Sequence, residues 1–451
     1  MTTARTATPS TARAINDRLA LDLLLERGPL TASDLRTLTG LSRPTVADLL
    51  ERLQRSGLVA HAGESAALRR GPNARLYGLV ADRAHLAGID IRSNGVSLVV
   101  ADLTGRTLGT ATIAAFAPAP GRGEASGAAA VEGPGAAAGA GSGADAGPSG
   151  GAVSGPSDGA ADGDLLVERT VETLLATAAE VGARELHTVA VGAPGLVDPA
   201  TGMLNNSGKL PEWHTKLLAA LRSRPGMEVI LENEVNLAGI AEHRLGAARG
   251  RRDFALIWLG HGVGASVVLD DRLRRGASGG TGEIGFLPVP GTIGLPESTK
   301  CDGGFHSMVS SAAICELAAR HGLAAEPDEG AGTGAGDVAG AGAEDREPAA
   351  AALVRQAVED GTDGFLDELA LRIAVGASAI CVVLDPGCLV LGGEIGQAGG
   401  PELAGRVEHH LTQLSPLATE VRAGTAGGGA VLAGAVLTAG DAVRRELFGG
   451  D

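Results

Sequence analysis

A chain of 451 residues, 44% of them apolar, has material for two or three compact units with real cores, and no run reaches the roughly 20 uncharged apolar residues of a membrane span. Its net charge of −16 conceals an asymmetry: residues 1–80 carry 11 arginines against 7 acids, a local +4, so the rest carries −20. A basic N-terminal part on an acidic body suits one module that approaches phosphates while the remainder stays off them.

Thr31 caps a helix in which Leu35 and Leu38 are expected to face inward, and Gly40 ends it. Ser42 caps a second helix with Pro44 in its first turn; Val46, Leu49, Leu50 and Leu53 form its packing stripe. The opposite, N-terminal face presents Ser42, Arg43, Thr45 and Asp48. Residues 58–61 and 75–79 read as strands joined by a polar loop with Arg69 and Arg70, which makes a wing. Helix, turn, helix and wing together form a DNA-reading unit: Ser42, Arg43 and Thr45 would meet the major groove, and Arg69 and Arg70 the backbone or minor groove. The bland alternative is a helical hairpin used only for packing.

Beyond residue 80 strands and helices alternate. Residues 88–91 and 96–105 read as a hairpin, 165–181 as a helix, 187–193 as a buried strand, and 229–231 as a strand feeding a helix that runs to 245. A glycine-rich hairpin spans 255–269, a helix 365–379, a strand 389–391, and a closing helix 431–447. Strands feeding helices at loops rich in glycine and acids define an α/β ligand-binding fold. Two segments, 117–163 and 323–350, are nearly all Ala, Gly, Ser, Pro, Asp and Glu, and are expected as disordered insertions within one domain. No internal repeat of short fixed period is visible. Cys301, Cys315, Cys381 and Cys388 show no CxxC spacing, and the N-terminus leads into no apolar signal core; free thiols and a cytoplasmic address are expected.

Asn16, Ala193-Pro194-Gly195, Glu232-Asn233-Glu234-Val235-Asn236, Gly260-His261-Gly262-Val263-Gly264, Gly282-Glu283-Ile284-Gly285 and Asp385-Pro386 followed by Leu391-Gly392-Gly393, in this order, resemble the ROK family of repressors, open reading frames and sugar kinases. The likeness is to its regulator branch. It implies a winged helix-turn-helix domain over 1–80 and an actin-like, two-lobed sugar-kinase-type domain over 85–451. It also implies that Asn233, Glu234 and Glu283 hold sugar hydroxyls through buried, paired hydrogen bonds.

The resemblance breaks where phosphoryl transfer needs it. Asp90 matches the acid of the first phosphate loop, but Arg92-Ser93-Asn94 stands for the family's Gly-Gly-Thr, and His261 for the usual Thr of the second loop. Glu234 replaces the Asp that serves as base; its extra methylene shifts the carboxylate by about 1 Å, a displacement that can cost about 100-fold in rate. Phe286 replaces a His that joins three cysteines around zinc, and Cys301 and His306 alone do not make that tetrahedral site, so no metal is expected. The family's last sugar-binding Glu falls at Ser307, with His306 beside it as a substitute. Each position also has a bland reading: Asp90 a strand-end acid, His306 a loop histidine, Asn233 an N-cap.

The expected function is a sequence-specific, double-stranded DNA-binding regulator of repressor type. Its kinase-like body would bind a sugar or sugar-derived effector and pair chains as a homodimer or dimer of dimers, with no cofactor, membrane or catalysis. The alternatives are an ATP-dependent sugar kinase with an appended DNA-binding module, and an architectural regulator without a small ligand.

Overall fold

In the computed structural model, residues 9–64, 74–92, 95–114, 158–204, 212–292, 294–297, 303–323 and 347–449 are described. The N-terminal module runs α1 (Pro9–Arg27), β1 (Leu30–Thr31), α2 (Ala32–Thr39), α3 (Arg43–Arg55), β2 (Val59–Glu64) and β3 (Arg75–Leu79). Its small antiparallel sheet has the order β1-β3-β2. α2 starts with a reciprocal capping box: the Thr31 hydroxyl accepts from Asp34 N at 3.1 Å and Asp34 accepts from Thr31 N at 3.0 Å. Gly40, left-handed at φ 70°, closes that helix, and Ser42 caps α3. Val46, Leu49, Leu50 and Leu53 are all buried in one cluster with Leu21 and Leu24 of α1 and Leu35 of α2, each worth about 1.5–3 kcal/mol. Leu38, expected inward, is exposed: only Leu35 of that helix is buried.

A connector over residues 80–84 leads into two lobes. The first holds β4 (His85–Arg92), β5 (Gly95–Asp102), β6 (Thr107–Ala114), α4 (Asp158–Glu180), β7 (Thr188–Ala193), α5 (Glu212–Arg222), β8 (Glu228–Asn233) and α6 (Glu234–Arg244). The second holds β9 (Phe254–Leu259), β10 (Val263–Leu269), β11 (Arg272–Arg274), α7 (His306–Val309), α8 (Ser311–Arg320), α9 (Ala349–Asp360), α10 (Asp363–Leu384), β12 (Cys388–Gly392), α11 (Gly393–Leu414) and β13 (Glu420–Ala423). α12 (Ala430–Leu447) returns to pack on β4, β7 and α6 of the first lobe.

The two five-stranded sheets have one topology, β6-β5-β4-β7-β8 and β11-β10-β9-β12-β13. In each, an antiparallel meander of three strands is followed by two parallel strands. This repeat is invisible at short period because it spans a whole lobe and keeps strand order, not residues. One core lies under the first sheet with α4 and α5, another surrounds α8–α11 in the second lobe, and a third joins α6 and α12 to the N-terminal module.

Part of each segment expected as a disordered insertion is helical. α4 begins at Asp158, inside 117–163, where Gly163 lets Trp213 of α5 close to 3.2 Å from the place of a Cβ. Residues 347–350 are placed too, with Ala350 fully buried at the start of α9: alanine favours helix and buries without side-chain entropy cost. Residues 117–157 and 324–346 lie outside the described residues.

Candidate functional site

Two sites emerge, one on the N-terminal module and one between the lobes. At the first, Ser42 and Thr45 are exposed and share a hydroxyl contact of 2.8 Å, while Ser42 Oγ accepts from Thr45 N at 3.4 Å. Further along α3 the arginines are neutralised: Arg52 bridges Asp17 of α1 and Asp48, each at 2.5 Å, and Arg55 pairs with Glu51 at 2.7 Å. Arg43, the first residue of α3, is exposed and makes no ion pair among the described residues. Exposed Arg36 on α2 and Arg75 at the start of β3 are likewise without an ion pair there, and sequence reading passed over both. For Arg36 the signal available was a cation on α2 with no acid one helical turn away. Arg69 and Arg70 lie outside the described residues.

At the second site, strand register does the assembly. Asp90 of β4 pairs with Gly192 of β7, Gly192 with Glu232 of β8, and Ala193 with Asn233, so acids from the carboxyl ends of neighbouring strands meet at the cleft. Asn233 caps α6, accepting from Val235 N at 2.9 Å and Asn236 N at 3.2 Å, while its amide donates to Gly195 O at 3.1 Å. The bland reading of Asn233 as a cap therefore holds, and the same bonds fix its orientation beside Glu234. Buried Glu232, which no local pattern separates from its neighbours, accepts from Asn233 N, from Asn236 at 2.9 Å and from Arg275 at 2.6 Å.

Glu234 is pushed up to about 8, first by burial and then by the nearby charges of Asp90 and Glu283, with Arg92 pulling the other way. At neutral pH it keeps its proton and offers both a donor and an acceptor. Glu283 is exposed at the mouth of the cleft. His306 is half-buried, 3.6 Å from the position of a Cβ on Gly285, so it joins the Glu283 loop; Ser307 is exposed with its hydroxyl on Gly304 O.

Arg92, the last residue of β4, folds back on Asp90. Its Nε donates to Asp90 at 3.0 Å and its Nη1 reaches Glu394, 302 residues away in the other lobe, at 3.4 Å. Glu394 leans on the second glycine loop, its Oε2 2.9 Å from the position of a Cβ on Gly260. Burial raises the Asp90 carboxyl, and the Arg92 guanidinium opposes that rise. Among the described residues no three His, Cys, Asp or Glu side chains gather to hold a metal ion, and Cys315, Cys381 and Cys388 are free thiols.

A winged-helix DNA-binding module joined to a two-lobed α/β body with a sugar-kinase-type cleft defines the class. The chain belongs to the ROK family, whose model matches residues 164–441; the MarR family model matches residues 15–70. It is 26% identical to a glucokinase of Halalkalibacterium halodurans over 51% of this chain and 68% of that one. It is 30% identical to the DNA-binding transcriptional dual regulator NagC of Escherichia coli, over 29% of this chain and 32% of that one. Among solved structures, a ROK family transcriptional regulator, a homologue of the E. coli MLC protein, superposes with a TM-score of 0.66 at 19% identity, covering 97% of this chain and 98% of that one. A Streptomyces griseus glucokinase in complex with glucose and AMPPNP covers 79% of this chain and 99% of its own, with a TM-score of 0.52 at 22% identity. The regulator fold thus spans both parts of this chain, and no helix among the described residues is long and apolar enough to cross a membrane.

Proposed function

We propose that this chain is a sequence-specific repressor acting in the cytoplasm, whose α3 and wing read an operator and whose cleft binds a sugar or sugar-derived effector without phosphorylating it. Two or more copies pair through the body to read a two-fold repeated site, as a dimer or dimer of dimers. The observation that carries this reading is Arg92. Phosphoryl transfer needs an open backbone cradle and a metal-holding acid, and here a guanidinium folds back on Asp90 and neutralises its charge. The longer Glu234 in place of Asp, protonated at neutral pH, is also a poor base for a sugar hydroxyl. For the effector, Asn233 and Glu234 are held at the cleft by α6 capping, with Glu283 and His306 on the facing loop; a neutral polyol would be matched by this mixture of donors and acceptors.

Two measurements test the reading. Selection from random duplexes with the full chain, followed by footprinting, is expected to return a two-fold repeated site. Coupled assays with glucose, mannose and N-acetylglucosamine, ATP and magnesium are expected to stay at background; turnover of about 1 per second would restore the kinase.

A further inference from the structure

α6 has its first residues in the cleft and its last residue far from it, at Arg244. Arg244 pairs with Asp441 of α12 at 3.2 Å, and Asp441 holds Arg444 at 2.6 Å. Arg444 is buried and donates to Leu103 O at 3.4 Å, just beyond β5. Leu103 N donates to Ala81 O of the connector at 3.0 Å, and next to it Val80 N donates to Leu58 O at 3.0 Å. Leu58 N in turn donates to Leu53 O, in the last turns of α3, at 3.1 Å. α6 and α12 cannot slide independently: a Cβ on Gly434 would lie 2.0 Å from Leu237 O, so the two backbones are in direct contact. One apolar cluster joins Leu50, Leu53 and Leu58 with Leu103, Leu237 and Val443.

The geometry points to α6 and α12 as one rigid lever that carries the state of the cleft, through Arg244, Asp441, Arg444 and the residue 80–84 connector, to the recognition helix α3. This rests on the proposed ligand and DNA roles of the two ends. Small displacements at Asn233 and Glu234 are passed on because both helices are close-packed and hydrogen-bonded at their far ends, where a packed interface switches between arrangements more readily than it deforms. Asp22 of α1 lies in the field of both Arg444 and Asp441, so the lever's far end also faces the other helix that supports α3.

The test is a mutant cycle in the full-length protein, read as Kd for a duplex chosen by selection, at fixed salt. Glu234→Ala removes the carboxyl to which the Asn233 amide donates at the cleft end, and Asp441→Asn breaks the far end. Glu234→Ala is expected to shift Kd by about 5-fold or more in the wild-type background and by less than about 2-fold in the Asp441→Asn background. Equal shifts in both backgrounds overturn the lever, and so does a Kd that Glu234→Ala leaves unchanged in the wild type. Arg244→Gln, at a half-exposed position, opens the same pair and serves if Asp441→Asn does not fold. Thermal shifts with glucose, mannose and N-acetylglucosamine are scored separately: their absence removes the sugar reading, while the coupling measured by the cycle still decides for or against the lever.

Discussion

His214 of α5 is buried with neither ring nitrogen hydrogen-bonded, beside the Trp213 ring at 4.1 Å. Burial lowers it from 6.5 to about 4. Between those values the unfolded chain takes up a proton that the folded chain refuses, so stability falls as pH drops from about 6.5 to 4, by up to about 1.4 kcal/mol per pH unit. Glu234 acts in the opposite sense. Its raised value means the folded state holds a proton that the unfolded state releases, so its contribution is complete below about 4.5 and is lost as pH rises to about 8. Thermal midpoints across pH 4–8.5 are expected to peak near the middle. His214→Leu should flatten the acid limb and Glu234→Gln the alkaline limb, and an unchanged acid limb in His214→Leu would contradict the assignment. At Arg43 the readout is specificity: Arg43→Ala is expected to lose about 1–3 kcal/mol at one base pair and relax the selected consensus there, whereas Arg75→Ala should weaken all sequences and lower the salt slope by about one unit. Identical binding-site profiles for wild type and Arg43→Ala would remove Arg43 from base reading.

At the level of elements, the α2 capping box sets where the helix-turn-helix begins. Thr31→Ala removes both the cap and its reciprocal bond to Asp34, and is expected to cost about 0.5–2 kcal/mol by thermal or denaturant unfolding, while Thr31→Ser restores most of it. Local signals of this kind made α2, α3, β4, β7, α6, β9, β10 and β12 legible, because caps, turn glycines and apolar stripes sit within a few residues of one another. Leu38 misled because two leucines three apart do not fix a helix face, and the chain turns away at Gly40 before anything covers it. β1, β11 and β13 hold two to four residues each and carry no period to read. In the cleft, the Asn233 and Glu234 motif was legible, but the Arg92–Glu394 contact joins positions 302 apart and Arg275 reaches Glu232 from the loop after β11. Only register and lobe packing bring these together.

For the whole molecule, the −20 body and the +4 module set the expectation that specific DNA affinity needs two modules held by the body. Sedimentation of the full chain at micromolar concentration is expected to show a dimer or larger. Deleting residues 117–157, which stop short of α4, should leave that assembly and the footprint unchanged, because the segment has almost no large apolar group with which to build an interface. A monomer with a single asymmetric half-site would refute pairing. On the proposed reading the body gives up catalysis without losing shape, because the candidate site lies on loops and strand ends that the sheets position.

Arg92 gives the cleft a cation fixed to the chain, where a phosphoryl-transfer site would take up a metal with each nucleotide. On the proposed reading a bound sugar therefore leaves as it arrived. Occupancy then follows the free concentration of the sugar alone, independent of the cell's energy charge and of how fast the sugar is being metabolised. The molecule would report a level and not a flux, and its useful range would lie within about tenfold of one dissociation constant on either side.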